Sequence, residues 1–311
     1  MIYYPIIIPT LNRYEHFKRC VESLAKNTHA DKTELVIGLD FPPSKKYFEG
    51  YEKIKNYIYM ITGFAKVTIF EREHNFGPRK NLAALREYAF QNYDAVISTE
   101  DDNEFSPCFI DFMDKILLAY KDSEKYTSVS GYLHPNYEGI STQKVLLTKE
   151  TNAWGMGLWR MKEEKFNKDK QYINILHSFS LSWKCFRTYP ACFGMFMEMM
   201  RRGLQWGDVI RTVTNILNNS YQIRPSASLC KNWGNDGSGL HCSEDASMFF
   251  ANQTISSEFT YDIGKECPII EKKVLRISKK LLLPHTSFKR IKFLFRTIVK
   301  YVLFYVKCIL K

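Results

Sequence analysis

Residues 94–102 read DAVISTEDD, an apolar run that ends in three adjacent carboxylates, Glu100, Asp101 and Asp102. A continuous apolar run of this kind is typical of a strand buried on both faces, and it predicts a core strand over 94–102. Adjacent carboxylates repel one another and raise one another's pKa unless a cation or a proton intervenes. The stretch therefore brings concentrated negative charge to the end of a core strand.

Strand and helix patterns alternate on both sides of this stretch in the first half of the chain. The last predicted helix opens with Ser106 as N-cap and Pro107 at the first helical position. Short loops between the elements predict βαβ units, hence an α/β fold with a Rossmann-like, mostly parallel sheet flanked by helices. The predicted strands cover 3–10, 33–40, 66–73 and 94–102, and the predicted helices cover 12–27, 43–61, 78–92 and 106–122.

Polar side chains follow the ends of the predicted strands. Thr10, Arg13 and Asp40 lie at or just past the ends of the first two strands. The three carboxylates Glu100–Asp102, called the acidic triplet below, lie at the end of the fourth. Ligands of open α/β sheets bind outside the carboxyl ends of the strands, so we expect these side chains to converge on one crevice. Arg79 lies at the start of the predicted helix over 78–92, where a cation suits phosphate binding; a plain surface charge is the alternative.

The triplet suits a hard divalent cation. Mg²⁺ and Mn²⁺ prefer oxygen ligands and are usually held by one or two carboxylates together with substrate phosphates. A strand-end acidic cluster therefore predicts a seat for Mn²⁺ or Mg²⁺ bound to a nucleoside diphosphate. The alternative is that these acids are solvated, or that they favour the N-terminus of the helix that begins near Ser106.

Composition excludes several other classes. The content of 45% hydrophobic and 25% charged residues is ordinary for a globular protein, and the eight cysteines include no C-x-x-C pair. This argues against a zinc ribbon or a disulfide scaffold and suits a reducing cytosol. The first residues, MIYYPIIIPTLNR, read as a core strand and not as a signal peptide.

The net charge of +11 lies in the C-terminal tail, because residues 271–311 hold 12 Lys and Arg against one Glu. The rest of the chain is neutral, so it offers nucleic acid no second contact surface and we expect no nucleic-acid partner. On a helix over 288–311, the basic residues other than Arg290 form one stripe beside a broad apolar surface. Its longest uncharged stretch, Tyr301–Val306, is too short to span a bilayer. The pattern predicts a helix lying on an anionic membrane, with docking on the protein body as the alternative.

Several segments resemble one enzyme family. VISTEDDNEFSPCFIDFMDKIL (96–117) resembles the E-D-D motif region of GT-A fold glycosyltransferases of the N-acetylglucosaminyltransferase I type. The order and spacing of further segments, over roughly residues 3–245, also resemble family-2-like bacterial polysaccharide glycosyltransferases. These segments are IIIPTLNRYEHFKRCVESL (6–24), LVIGLD (35–40), NFGPRKNLAALREYAF (75–90), NAWGMGLWR (152–160), QWGD (205–208) and RPSASLCKNWGNDGSGLHC (224–242).

The resemblance implies roles on the donor side. Asp102 becomes the metal ligand, while Asp101 and Glu100 contact the ribose or hold metal-bound water. Thr10 and Arg13 face the nucleotide, and Asp40 takes the base- or ribose-binding position. His241 lies in a glycine-rich loop and is expected to contact phosphate or complete the metal shell; a solvated loop histidine is the alternative.

The resemblance also implies roles on the acceptor side. Asp208 matches a general base that takes the proton of the acceptor hydroxyl, although Gly207 separates it from the tryptophan that it usually follows. Capping of the helix that follows is the alternative for Asp208. Trp154 and Trp159 are expected to form a platform for an acceptor sugar, with core packing as the rival account.

Together these features predict a metal-dependent, inverting glycosyltransferase that uses a nucleoside diphosphate sugar donor and a glycan or lipid-linked acceptor. We expect a catalytic domain over 1–270, a membrane-associating tail over 271–311, and a peripheral position on the cytoplasmic face of a bacterial inner membrane. The expected process is surface polysaccharide assembly, such as that of O-antigen or capsule. The alternatives are a sugar nucleotidyltransferase, whose glycine-rich basic loop is missing after the first strand, and a non-catalytic sugar-binding protein.

Overall fold

The computed structural model describes residues 2–139, 144–237, 253–263, 268, 270–284 and 286–309, with side chains as far as Val306 in the last helix. Short 3₁₀ turns cover Ala30–Lys32, Lys45–Tyr47, Pro135–Tyr137 and Gln171–His177. The strands are β1 (Ile6–Thr10), β2 (Glu34–Leu39), β3 (Lys66–Glu71), β4 (Ala95–Ser98), β5 (Asn103–Phe105), β6 (Tyr126–Ser130), β7 (Val145–Thr148), β8 (Met156–Trp159), β9 (Tyr221–Pro225) and β10 (Cys230–Asn232). The helices are α1 (Tyr14–Ala25), α2 (Phe48–Ile58), α3 (Gly77–Asn92), α4 (Phe109–Ala119), α5 (Arg160–Lys168), α6 (Phe179–Thr188), α7 (Pro190–Arg201), α8 (Gly207–Leu217), α9 (Lys272–Ser278) and α10 (Ser287–Ile309).

The central sheet has eight strands in the order β3-β2-β1-β4-β8-β6-β9-β7. Strands β8 and β7 pair antiparallel with their neighbours, and the other pairs are parallel. A second, two-stranded antiparallel sheet joins β5 to β10. The predicted mostly parallel sheet of the GT-A type, flanked by helices and followed by a C-terminal helix, is confirmed.

Apolar side chains of β1 alternate between the two faces of the sheet. Ile6 and Ile8 pack in the cluster that includes α1, α2 and α4, whereas Ile7 packs in the cluster that includes Leu85 and Ala89 of α3. This burial on both faces explains why the first strands read as continuous apolar runs. A third cluster unites helices α6 to α10 in the second half of the described chain.

Two predicted boundaries differ from the structure around the acidic triplet. The fourth strand ends at Ser98, and residues 99–102 form a turn into β5, because this polar stretch leaves the sheet to reach β10. The helix predicted from Ser106 begins at Phe109, with Cys108 at the N-cap. Pro107 therefore precedes the helix, and the Ser106 hydroxyl accepts a hydrogen bond from the Cys108 N–H at 3.4 Å.

The C-terminal segment packs against the body. In α9, the Ser278 hydroxyl donates to Glu150 Oε2 at 3.0 Å and lies 2.9 Å from the Tyr137 hydroxyl. In α10, Tyr301 is buried against α6 and α7, and its ring lies 5.8 Å from that of Phe193. None of the described helices combines the length and the apolar character that crossing a bilayer requires.

Candidate functional site

The strand order reverses at the carboxyl ends of β1 and β4. The chain passes from β1 to β2 and β3 on one side, and β4 then pairs with the other edge of β1. Such a reversal opens a crevice above the strand ends, which is where α/β sheets bind ligands. Thr10 closes β1, Arg13 precedes α1, and the acidic triplet follows β4, so the structure brings these residues together as the sequence predicts.

Arg13 bridges two of the three acids. Its Nη1 donates to Asp102 Oδ2 at 2.8 Å, and its Nη2 donates to Asp101 Oδ1. The Thr10 hydroxyl donates to Asp101 Oδ2 at 2.9 Å. The two carboxylates raise the pKa of Arg13 although its burial opposes them. Burial raises the pKa of Asp101, with Arg13 and Thr10 opposing and Asp102 adding to the rise.

A second segment holds Asp102 from the other side. Pairing of β5 with β10 sets Asn103 opposite Asn232, whose side-chain amide donates to Asp102 Oδ1 at 2.7 Å. The Trp233 N–H donates to the Asp102 carbonyl oxygen at 2.8 Å. A Cβ at Gly234 would lie 2.1 Å from Asp102 Oδ2, so only glycine fits this approach. The sequence pattern identified the segment but not these contacts, because they depend on a strand pair that joins distant parts of the chain.

Glu100 is the residue on which the excess of negative charge in the cluster has its clearest effect. Its side chain is exposed, yet surrounding protein raises its pKa to about 8 by displacing water from the carboxyl group. Asp102, Asp101 and Asp208 add to this rise, and the Arg13 guanidinium opposes it. The charged groups with the largest effect on Glu100 are therefore three carboxylates and one cation. This excess of negative charge favours the binding of additional positive charge at the site.

Asp208 is exposed in the first turn of α8, and the helix begins at Gly207, so this residue does not occupy the N-cap. Its Oδ1 accepts the N–H of Val209 at 3.0 Å. Its charge raises the pKa of Glu100 and also contributes to the raised pKa of Cys192 in α7, where burial is the main cause. Asp208 therefore lies close enough to the triplet to interact with it electrostatically.

Asp40 holds a turn beside the crevice. Its Oδ1 accepts the N–H groups of Phe41 and Phe76 at 3.0 and 2.7 Å, and its Oδ2 accepts the Gly77 N–H and the Asn75 amide at 2.8 and 3.3 Å. Four donors use the acceptor sites that a carboxylate offers. The side chain is buried and anchors the start of α3, and its predicted contact with base or ribose stays a prediction.

Arg79 extends from the first turn of α3 toward the segment that precedes α8. Its guanidinium donates to the backbone carbonyl of Gln205, three residues before Asp208. This contact ties α3 to the segment that the sequence resemblance assigns to the acceptor. The predicted phosphate contact of Arg79 is not tested by this arrangement.

The two predicted platform tryptophans have different positions. Trp154 is half-buried, and its ring packs edge-on against Tyr132 with centroids 4.6 Å apart. Trp159 is only 3% exposed, pairs with Ala95 at the end of β4 remote from the triplet, and donates its indole N–H to Leu117 O at 2.8 Å. This position matches the core-packing account of Trp159. His241 lies outside the described residues.

The residues at the triplet fit a hard divalent cation. Within the described parts of the chain, no three His, Cys, Asp or Glu side chains surround a common point in a way that could hold a metal ion. Mg²⁺ and Mn²⁺, however, need only one or two carboxylates when substrate phosphates complete the shell. Asp102 accepts one hydrogen bond on each oxygen from Arg13 and Asn232, so each oxygen keeps a second lone pair.

Comparison with known proteins identifies the family. The solved structures that this chain resembles are distant and carry no argument here. They include S. aureus TarS (16% identity, TM-score 0.32, 49% of this chain and 25% of that chain) and the mannosyltransferase PcManGT from Pyrobaculum calidifontis in complex with GDP-Man and Mn²⁺ (12% identity, TM-score 0.42, 69% of this chain and 68% of that chain). A third is S. aureus TarS 1–349 in complex with UDP-GlcNAc (14% identity, TM-score 0.38, 82% of this chain and 68% of that chain).

The match covers about a quarter of the length of the first of these structures, S. aureus TarS. No curated protein matches it. The family model described as Glycosyl transferase family 2 matches residues 6–202, well over half of the chain, and includes β1, the acidic triplet and β8. The chain therefore belongs to glycosyl transferase family 2.

Proposed function

We propose that this protein is a metal-dependent, inverting glycosyltransferase that moves a sugar from a nucleoside diphosphate sugar to a hydroxyl group of a glycan or lipid-linked acceptor. The observation that carries the proposal is the acid cluster at the strand-order reversal. Three consecutive carboxylates and Asp208 interact there across the end of β4, with Arg13 as their bridging cation. Membership of glycosyl transferase family 2 supports a donor-binding role for this cluster.

Asp102 is the proposed direct ligand of Mn²⁺ or Mg²⁺, with Asp101 and Glu100 acting through ribose or metal-bound water. When bound, the cation supplies positive charge that offsets the diphosphate as it leaves the sugar. Asp102 is suited to this role because Arg13, Asn232 and the close approach of Gly234 fix its carboxylate from both sides. His241 remains a candidate for phosphate or metal contact on the resemblance alone.

Arg13 and Thr10 are the proposed contacts to the nucleotide at the end of β1. The Arg13 guanidinium bonds to both Asp101 and Asp102 and holds their carboxylates side by side, and it opposes the burial that raises the pKa of Asp101. Arg79 supplies a second guanidinium near the start of α3, where a helix N-terminus favours phosphate. The buried Asp40 supports the same region by holding the turn before α3.

Asp208 is the proposed general base. The acceptor oxygen attacks the anomeric carbon, the hydroxyl proton passes to the Asp208 carboxylate, and the bond between sugar and diphosphate breaks with its electron pair on the phosphate oxygen. An exposed carboxylate near the triplet suits this step, since an acceptor can reach it from solvent. Trp154 remains a proposed acceptor contact because its side chain is partly accessible. Trp159 is buried and is not proposed as an acceptor contact.

We also propose a peripheral position on the cytoplasmic face of a bacterial inner membrane, in the assembly of a surface polysaccharide such as O-antigen or capsule. The basic residues of 271–311 and the apolar surface of α10 support this location. A lipid-linked acceptor would then share the membrane with the enzyme.

Donor hydrolysis in Mn²⁺, over a panel of nucleoside diphosphate sugars with uracil and guanine bases, tests the site. We expect Asp102→Asn to lower Mn²⁺-dependent hydrolysis by about 100-fold or more, because the cation loses its anionic ligand. Asp31→Asn, an exposed acid in the turn after α1, is the matched control and should change nothing. Asp208→Asn should keep donor binding and lose transfer by about 100-fold or more. Unchanged hydrolysis by Asp102→Asn would refute the assignment of Asp102 as metal ligand. Full transfer activity of Asp208→Asn would refute the assignment of Asp208 as general base.

A further inference from the structure

Helix α10 has two apolar faces, and the described parts of the chain cover only one of them. Tyr301 is buried, and other apolar side chains of the inner face pack against the cluster formed by α6, α7 and the 171–177 turn. Gly194 of α7 allows this close contact, since a Cβ there would lie 3.2 Å from the Phe293 ring. The inner face of α10 is thus part of the protein core. Its remaining members are Phe293, Leu294, Phe304 and Tyr305.

The outer face exposes large apolar side chains along the described length of the helix. At 100° per residue these side chains fall on one side of α10, opposite the packed face. A continuous exposed strip of this size is unusual on a soluble surface and marks a contact surface. The exposed fractions are 76% for Phe288, 66% for Ile291, 66% for Phe295, 49% for Val302, 58% for Leu303 and 45% for Val306.

Basic side chains run along one edge of this strip. Lys289, Lys292, Arg296 and Lys300 are exposed and follow the helix at near-helical spacing. A cation beside an exposed apolar strip is complementary to a surface that is apolar inside and negatively charged outside. The edges of two copies of this helix, by contrast, would repel each other in a symmetric pair.

We propose that the outer strip of α10 docks on an anionic lipid bilayer while the inner face stays packed, so that the helix fixes the orientation of the enzyme on the membrane and does not act as a loose tether. The inference rests on the proposed membrane location and specifies its contact surface. The strip inserts its aromatic and aliphatic side chains at the headgroup boundary. The lysines and arginine contact the acidic headgroups at the same time.

Removal of the helix does not test this surface. Truncation before Phe288 would remove Tyr301, uncover the apolar side chains of α6 and α7 that it covers, and change folding together with membrane contact. Substitutions on the outer strip avoid that difficulty, because these side chains make little contact with the core. Glutamine is suitable because it keeps the charge of the chain unchanged and favours the helix.

Co-sedimentation with vesicles of phosphatidylcholine containing 30% phosphatidylglycerol tests the apolar strip. We expect the F295Q/L303Q double variant to bind these vesicles at least tenfold more weakly than the unaltered protein. The matched control is Met60→Gln, which replaces an equally exposed apolar side chain (66%) at the end of α2, and it should bind as the unaltered protein does. Vesicle binding by F295Q/L303Q equal to that of the control would overturn the proposal.

The basic edge is tested with R296Q/K300Q on the same vesicles. Each lost charge should weaken binding by about fivefold, and binding of the unaltered protein to pure phosphatidylcholine should be correspondingly weak. Equal binding to both vesicle types would contradict the role of anionic lipid.

Light scattering without lipid supplies a further check of the apolar strip. A dimer that F295Q/L303Q converts to a monomer would show that the strip is covered by a second copy, and would overturn lipid docking.

Donor hydrolysis measured without vesicles should be the same for all these variants, since none of them alters the acid cluster. Loss of vesicle binding with normal hydrolysis supports the docking surface. An inactive protein that still binds vesicles through this strip would refute the proposed chemistry and leave the docking surface intact. The two proposals therefore fail in different experiments.

Discussion

Two clusters of acidic side chains in this protein differ in how far nearby cations balance their negative charge. Glu163 in α5 is buried, and the guanidinium of Arg211 in α8 contacts both of its carboxylate oxygens at 2.6 Å. A second guanidinium nitrogen, Nη1 of Arg86 in α3, lies 3.6 Å from Glu163 Oε2. Burial alone would raise the pKa of Glu163, but the two guanidinium groups outweigh it and lower the pKa. At the end of β4, one guanidinium faces several carboxylates, and the pKa of Glu100 rises to about 8.

The difference separates a structural cluster from a binding cluster. Around Glu163 positive charge exceeds negative charge, and the ion pairs join three helices, so the cluster is complete as it stands. Around Glu100 negative charge is in excess, and the side chain is exposed. Only the second cluster gains from binding a further cation.

The largest expected effect is on stability, at the structural cluster. Glu163→Gln leaves the buried Arg211 and the half-buried Arg86 without a carboxylate, and we expect it to lower the free energy of unfolding by about 3–5 kcal/mol. Urea unfolding measures this loss. Glu198→Gln is the matched control, because it breaks exposed pairs with Arg201 and Arg202, and it should leave the unfolding midpoint unchanged. Equal effects of the two changes would show that burial of the Glu163 cluster has no energetic weight.

Asp114 shows what burial does when positive charge does not compensate it. This α4 residue is 1% exposed, and its Oδ1 accepts the Tyr4 N–H at 3.1 Å. Burial raises its pKa from 3.8 to about 7, with Tyr4 opposing and Asp111 adding to the rise. Between about pH 4 and 7 the folded protein keeps a proton that the unfolded chain releases, so this residue makes stability fall as pH rises.

Asp114→Asn removes that titration. From pH 5 to pH 8 the unaltered protein should lose about 3 kcal/mol more unfolding free energy than the variant, because the loss is complete above the folded pKa. Urea unfolding of both proteins at the two pH values measures the difference. Parallel pH profiles would mean that burial does not raise the pKa of Asp114 in the folded protein.

Local patterns predicted the first half of the fold well. Apolar runs and helical periodicity are properties of neighbouring residues, so β1 to β4 and α1 to α3 were found within a few residues of their ends. The end of β4 was predicted four residues too late, because a polar turn and an apolar strand had been joined into one element. The antiparallel position of β8 between β4 and β6 was not predicted, since pairing of distant strands leaves no local signal.

The candidate site shows the same limit. Thr10, Arg13 and the triplet meet because each follows a strand end, and this rule is readable in the sequence. The contact of Asn232 with Asp102 joins residues 130 positions apart through the β5–β10 pair, and no spacing rule reveals it. Trp159 was assigned to the acceptor from its motif, whereas its strand position gives it a core environment that the motif does not encode.

The smallest expected effect sharpens the contrast between the two clusters. Arg13→Gln removes the cation that bridges Asp101 and Asp102, and we expect it to lower the free energy of unfolding by about 1–2 kcal/mol in metal-free buffer. A divalent cation can replace the lost positive charge at an acid cluster that binds one. Mn²⁺ should therefore raise the thermal midpoint of Arg13→Gln by more than that of the unaltered protein.

The corresponding change at the structural cluster is Arg211→Gln, which removes the main partner of Glu163. Mn²⁺ should not restore its stability, because Glu163 is buried and its oxygens face a second guanidinium from Arg86. Equal Mn²⁺ responses of Arg13→Gln and Arg211→Gln would show that the cation does not recognise the triplet. A selective response of Arg13→Gln would show that the excess charge at the end of β4 is available to a metal, independently of any turnover.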